Sequence, residues 1–205
     1  MAASGGGATF SGLSISKTGT SYQLHATSLG LVAADSSAFN VTARTLTVTA
    51  TGVNKVYDGT ATATVTLSDD RLAGDVFTVS YVSASFADKN VGTAKPITVT
   101  GISISGPDAG NYTLAATTAS TTADITARSL TVTATGVNKV YDGTTTATVT
   151  LADNRVAGDV FTDSYTSASF ADPNVGTAKP VSVSGINSNG STSVEIVGGA
   201  GVGGV

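Results

Sequence analysis

The chain has 205 residues, 12% of them charged, and a formal net charge of −4. It holds no Cys, no Trp and one His, so a disulfide framework and a Cys-ligated zinc site are excluded, and any histidine catalysis would run through His25 alone. Its six Lys and four Arg are scattered, which leaves no basic footprint for nucleic acid, and no apolar run approaches the ~18 residues of a membrane span.

Thr (35 residues) and Ser (24 residues) are abundant, while Glu occurs once, at Glu195. That balance favours strands over helices. Low charge, high Thr/Ser content and no Cys together suggest a bacterial surface or secreted repeat protein. The opening, Met1 to Gly7, lacks the basic and apolar regions of a signal peptide.

Residues 1–43 read as the C-terminal half of a module. Gly12-Leu13-Ser14-Ile15-Ser16 resembles Gly101-Ile102-Ser103-Ile104-Ser105, Tyr22-Gln23-Leu24 resembles Tyr112-Thr113-Leu114, and Val41-Thr42-Ala43-Arg44 resembles Ile125-Thr126-Ala127-Arg128. Residues 44–127 form a whole module. Strands are predicted at 46–51, 61–67, 76–82, 97–100, 112–115 and 121–127, where apolar residues alternate with Thr or Ser. Turn signals separate them: Asp58-Gly59, Ala73-Gly74-Asp75, Asp88-Lys89-Asn90 and Gly106-Pro107-Asp108. Short strands at this spacing fit an antiparallel β-sandwich. The predicted inward set is Leu46, Val48, Val56, Val65, Leu67, Val76, Phe77 or Tyr81, Phe86, Val91, Ile97, Val99, Ile102, Tyr112, Leu114 and Ile125.

Residues 128–190 repeat residues 44–106 without gaps at an offset of 84, with 49 identities in 63 positions. This copy reads as a truncated module, because no second Asn-Tyr-Thr-Leu or Ala-Asp-Ile-Thr follows it. Residues 191–205 read as a flexible Gly-rich tail. The chain therefore reads as a piece of a longer array. The expected fold is all-β: tandem antiparallel sandwich repeats.

Three ordered motifs carry a family resemblance. They are Asn54-Lys55-Val56-Tyr57-Asp58-Gly59-Thr60, then Phe86-Ala87-Asp88-Lys89-Asn90-Val91-Gly92-Thr93, then Gly106-Pro107-Asp108-Ala109-Gly110-Asn111-Tyr112-Thr113-Leu114. They resemble the YDG domain, which recurs in tandem in bacterial surface and secreted proteins, including filamentous-haemagglutinin-like adhesins. The match covers residues 44–127 fully and 128–190 in part. The segment before them resembles a bacterial Ig-like repeat. The resemblance implies Ig-like sandwiches at an extracellular or bacterial cell-surface location. It implies no catalytic, cofactor or metal residue.

Candidate chemistry is sparse. Tyr57-Asp58-Gly59-Thr60 and Tyr141-Asp142-Gly143-Thr144 read as tight turns, with Gly at positive φ, Asp bonded to its own backbone and the Tyr ring packed at a sandwich corner. The competing reading makes each Tyr an exposed platform for sugar stacking. Asp69, Asp70, Asp75 and Asp88, echoed by Asp153 and Asp159, could bind Ca²⁺, although no calcium-loop motif occurs and solvated turn carboxylates account for them. Lys55 or Lys95 with Asn90 or Asn111 could form an isopeptide cross-link only if an Asp moved the proton. His25 has no nucleophile elbow to serve. The Thr ladders at residues 45–51 and 62–66 are what half-exposed strands present, not a flat ice-binding array.

These observations lead to a non-enzymatic stalk or spacer repeat of a large adhesin, with no cofactor required. Its partners would be neighbouring modules. The alternatives are a direct glycan- or matrix-binding module, and a fibre subunit whose chain ends complete one another head to tail by strand addition.

Overall fold

The computed structural model describes residues 10–189, 194–196 and 203–204. Every regular element among them is a β-strand except one short 3₁₀ turn, Ala109–Asn111, so the chain is all-β. The fold divides into two compact units, and the division runs through the first repeat. One unit holds residues 1–50, 66–83 and 99–120; the other holds 51–65, 84–98 and 121–205.

In the first unit, strand Gly19–Tyr22 pairs antiparallel with Phe39–Val41, and His25–Ala26 with Ala34–Asp35. Ser103–Ser105 pairs antiparallel with Thr78–Ser80. Tyr112–Leu114 lies parallel to Arg44–Leu46, with Tyr112 opposite Arg44. The core here is Leu46, Phe77 and Tyr112, flanked by Val48, Val79, Ile104 and Leu114. The Phe77 and Tyr112 rings stand 5.0 Å apart and tilted, a geometry that suits aromatic quadrupoles. The Arg71 guanidinium caps Phe77 at 3.8 Å and grips both oxygens of Asp69.

In the second unit, the first repeat contributes Ala63, Val65, Ala84, Phe86, Ile97, Ala123 and Ile125 to the buried set. Lys55–Val56 runs parallel to the end of Thr118–Thr126. The second repeat packs Leu130, Val132 and Phe161 into one cluster and Ala134, Ala147, Val149, Ala168 and Val181 into another. Strand Val132–Val137 pairs antiparallel with Thr148–Asp153, Thr162–Ser164 with Asn187–Asn189, and Ser167–Phe170 with Pro180–Ser184.

Four expectations need correction. The pairing is mixed, not wholly antiparallel: among the described residues three pairs are parallel. Parallel partners need long connections, and these strands are far apart in the chain. Val56 and Val76 are exposed at 57% and 63%. Each sits beside a buried aromatic, Tyr57 at 3% or Phe77 at 6% exposure, and the larger ring takes the interior. Finally, the expected Gly-rich tail contains two strands. Val194–Ile196 lies parallel to Arg128–Leu130, in the place that Tyr112–Leu114 takes in the first repeat, with Val194 opposite Arg128. Gly203–Gly204 pairs antiparallel with Pro180–Ser184. The rest of that tail lies outside the described residues.

Candidate functional site: the Tyr-Asp-Gly turns

Both turns are built from their own residues. Gly59 and Gly143 hold φ of +79° and +75°, a region closed to most side chains. Asp58 Oδ1 accepts from the Thr60 amide at 2.8 Å, the Thr60 hydroxyl at 2.9 Å and Lys55 Nζ at 2.8 Å. Asp142 Oδ1 repeats the set with the Thr144 amide and hydroxyl, both at 2.9 Å, and Lys139 Nζ at 2.8 Å. Each ammonium also donates to the carbonyl of its turn threonine and lies over an aromatic ring, Phe86 for Lys55 and Phe170 for Lys139. The lysine, then the threonine donors, draw each carboxyl down to about 2.

The tyrosines differ. Tyr57 is buried, 3% exposed, and its hydroxyl donates to Asp159 Oδ1 at 2.6 Å. That carboxylate belongs to the second repeat, on the loop Arg155-Val156-Ala157-Gly158-Asp159-Val160. Lys89 Nζ lies 3.8 Å from the same oxygen. Val156 closes the contact: a Cβ on Gly59 would lie 2.7 Å from its Cγ1. The bond to Asp159, then burial, pushes the Tyr57 hydroxyl up to about 12. Tyr141 is 65% exposed. It borders an open cavity of about 490 Å³ whose lining includes Lys139, Thr144, Phe170, Pro173 and Lys179.

The first repeat explains one loose end. Asp75, the counterpart of Asp159, accepts the Tyr112 hydroxyl on Oδ2 at 2.5 Å, and that hydroxyl accepts the Leu72 amide. In the second repeat Val194 stands at the register position of Tyr112, and Asp159 Oδ2 is buried without a hydrogen-bond partner. Asp75 thus holds a tyrosine of its own repeat, and Asp159 holds the tyrosine of the repeat before it.

The other candidates are dispersed. Asp69 is held by Arg71, Asp70 accepts the Thr47 amide, Asp75 faces Tyr112, and Asp88 pairs with Lys95 at 2.6 Å. No cluster of three or more His, Asp or Glu side chains suited to a metal exists among the described residues. Lys55 and Lys95 are tied to Asp58 and Asp88, while Asn111 bonds the backbone of Ser16 and Thr18, so neither lysine takes an asparagine partner. His25 Nδ1 meets Asp35 Oδ1 at 2.5 Å on an exposed strand. No helix among the described residues is long and apolar enough to cross a membrane.

Sequence reasoning placed the Tyr ring at a corner but missed Asp159 as its partner, Val156 over Gly59 and Lys89 beside Asp159. It also missed Asp163, which stands where the first repeat has Val79. Burial raises the Asp163 carboxyl; Ser188 donates to it, and Arg155 lies 3.5 Å away. Arg155 holds the neighbouring Asp153 well below the usual carboxylate range. The only sequence signal was an apolar-to-acidic change at an inward position between otherwise matching repeats.

A family model for the YDG domain matches residues 42–120 and again residues 126–195. No curated protein and no solved structure matches the chain.

Proposed function

The chain belongs to the YDG-domain family, and from that premise we propose that it is a non-enzymatic spacer: tandem Ig-like sandwich repeats in the stalk of a large, extracellular bacterial adhesin. The observation that carries this reading is the fate of Tyr57. Its hydroxyl holds Asp159 of the next repeat while Val156 of that repeat packs over Gly59, so the buried tyrosine serves the joint between repeats and is closed to ligand. A repeat joined to its neighbour in this way adds length and stiffness, with stability set by each repeat and each joint.

The test is a labelled, folded chain applied to glycan and matrix-protein arrays with and without Ca²⁺. Silence is expected. Saturable binding that disappears in Asp58→Ala or Asp142→Ala chains of unchanged fold would overturn the spacer reading. A second reading, direct glycan recognition, is favoured by one observation: Tyr141 is exposed beside a cavity.

A further inference from the structure

The two repeats carry the same face, and the chain shows that face in use only once. In the first repeat it consists of Tyr57, Gly59 and Lys89, and it holds the loop at residues 155–160. In the second repeat the matching positions are Tyr141, Gly143 and Pro173. Tyr141 is 65% exposed, and a Cβ on Gly143 would meet nothing within 4 Å.

The complementary loop is also present twice. Arg71-Leu72-Ala73-Gly74-Asp75-Val76 differs from Arg155-Val156-Ala157-Gly158-Asp159-Val160 only in Leu for Val at its second position. The copy at 71–76 is open: Leu72 is 53% exposed and a Cβ on Gly74 would meet nothing within 4 Å. Tyr112 uses one oxygen of Asp75, and an ionised carboxylate has a second acceptor oxygen to offer another hydroxyl.

We propose that the Tyr141 face docks a second copy of this chain, through that copy's loop at residues 71–76. Tyr141 donates to Asp75 of the second copy, and Leu72 of that copy packs over Gly143 as Val156 packs over Gly59. The contact is heterologous, so each added copy presents a fresh Tyr141 face and the assembly grows head to tail. Pro173 replaces Lys89, which removes the cation beside the carboxylate. The contact between chains also lacks the tether that gives the internal joint an effective concentration of ~mM. Association is therefore weak and rises with protein concentration. This proposal goes beyond the spacer reading and does not depend on whether the chain binds glycan elsewhere.

Sedimentation velocity on the full chain, from ~10 μM to ~1 mM, tests it across the tethered concentration scale. The wild type is expected to shift from monomer towards larger species. Tyr141→Ala and Leu72→Asp, both at exposed side chains and checked for unchanged circular dichroism, are each expected to stay monomeric. An equimolar mixture of the two is expected to give a dimer and nothing longer, because each variant keeps the surface that the other has lost. A sedimentation coefficient that does not change with concentration would overturn the proposal. So would association that survives Tyr141→Ala, or a wild-type monomer whose Tyr141 resonances move on addition of maltohexaose.

Discussion

The turns at Tyr57 and Tyr141 share the sequence Asn-Lys-Val-Tyr-Asp-Gly-Thr and the same internal hydrogen bonds, yet one ring is 3% exposed and the other 65%. The lysine, aspartate and threonine of each turn meet within six residues of chain, so local geometry reproduces their contacts wherever the sequence occurs. The tyrosine has no local partner. Its place depends on a loop about a hundred residues away, which reaches Tyr57 and not Tyr141. A motif can therefore be a structural constant in its backbone and a variable in its ring.

Replacing each tyrosine by alanine is the strongest way to break the comparison. Tyr57→Ala is expected to cost ~3–5 kcal/mol, the range for loss of a buried aromatic. Tyr141→Ala should stay within ~0.5 kcal/mol, as exposed substitutions do. Urea unfolding of both variants measures the difference, and equal effects would refute a buried role for Tyr57.

The glycines sharpen it. Gly59→Ala and Gly143→Ala both force alanine into the left-handed region, a strain of ~1–2 kcal/mol. Only Gly59→Ala adds a collision with Val156, so it should be the more destabilising in the same assay.

A smaller effect isolates the hydroxyl. Tyr57→Phe keeps the ring and removes the bond to Asp159, with an expected loss of ~1 kcal/mol. The hydroxyl also gives a signature at high pH. Its folded value of about 12 exceeds the ordinary 10.0, so its stabilisation is complete below pH 10 and fades as pH rises towards 12. Ultraviolet titration should show late tyrosinate ionisation that Tyr57→Phe reduces by one tyrosine, while Tyr112, raised by burial and by Asp75, still ionises late.

The smallest expected contrast is between the aspartates. Asp58 and Asp142 both titrate at about 2, below the ordinary 3.8, so each turn's contribution is present above pH 3.8 and fades as pH falls through 2. Asp58→Asn and Asp142→Asn should weaken acid resistance alike, whatever their tyrosines do. A difference between them would mean that the turns are not locally autonomous.

Alternation of Val, Ile and Leu with Thr was enough to read the all-β class and most of the interior: Leu46, Val65, Phe86, Ile97, Val99, Ile102, Tyr112 and Ile125 are all buried. The turns at Asp58 and Asp142 were legible for the same reason, since side chains that bond their own neighbours declare themselves in a short string of residues. Alternation failed at Val56 and Val76, where two apolar residues are adjacent and only the packing chooses between them. It was also silent on parallel pairing, because register between distant strands is decided by which edges the folded chain brings together.

The sequence by itself determined the repeat, the strand-forming pattern, the left-handed glycines and the bond of each turn aspartate to its own backbone, all of which depend on residues within one strand or one turn of each other. The tertiary structure alone decided that Tyr57 meets Asp159, that Asp159 keeps an oxygen unpartnered, and that Val194–Ile196 takes the strand position of Tyr112–Leu114. Those outcomes rest on contacts between distant residues, whose stabilisation comes from burying a surface that neither partner can bury alone.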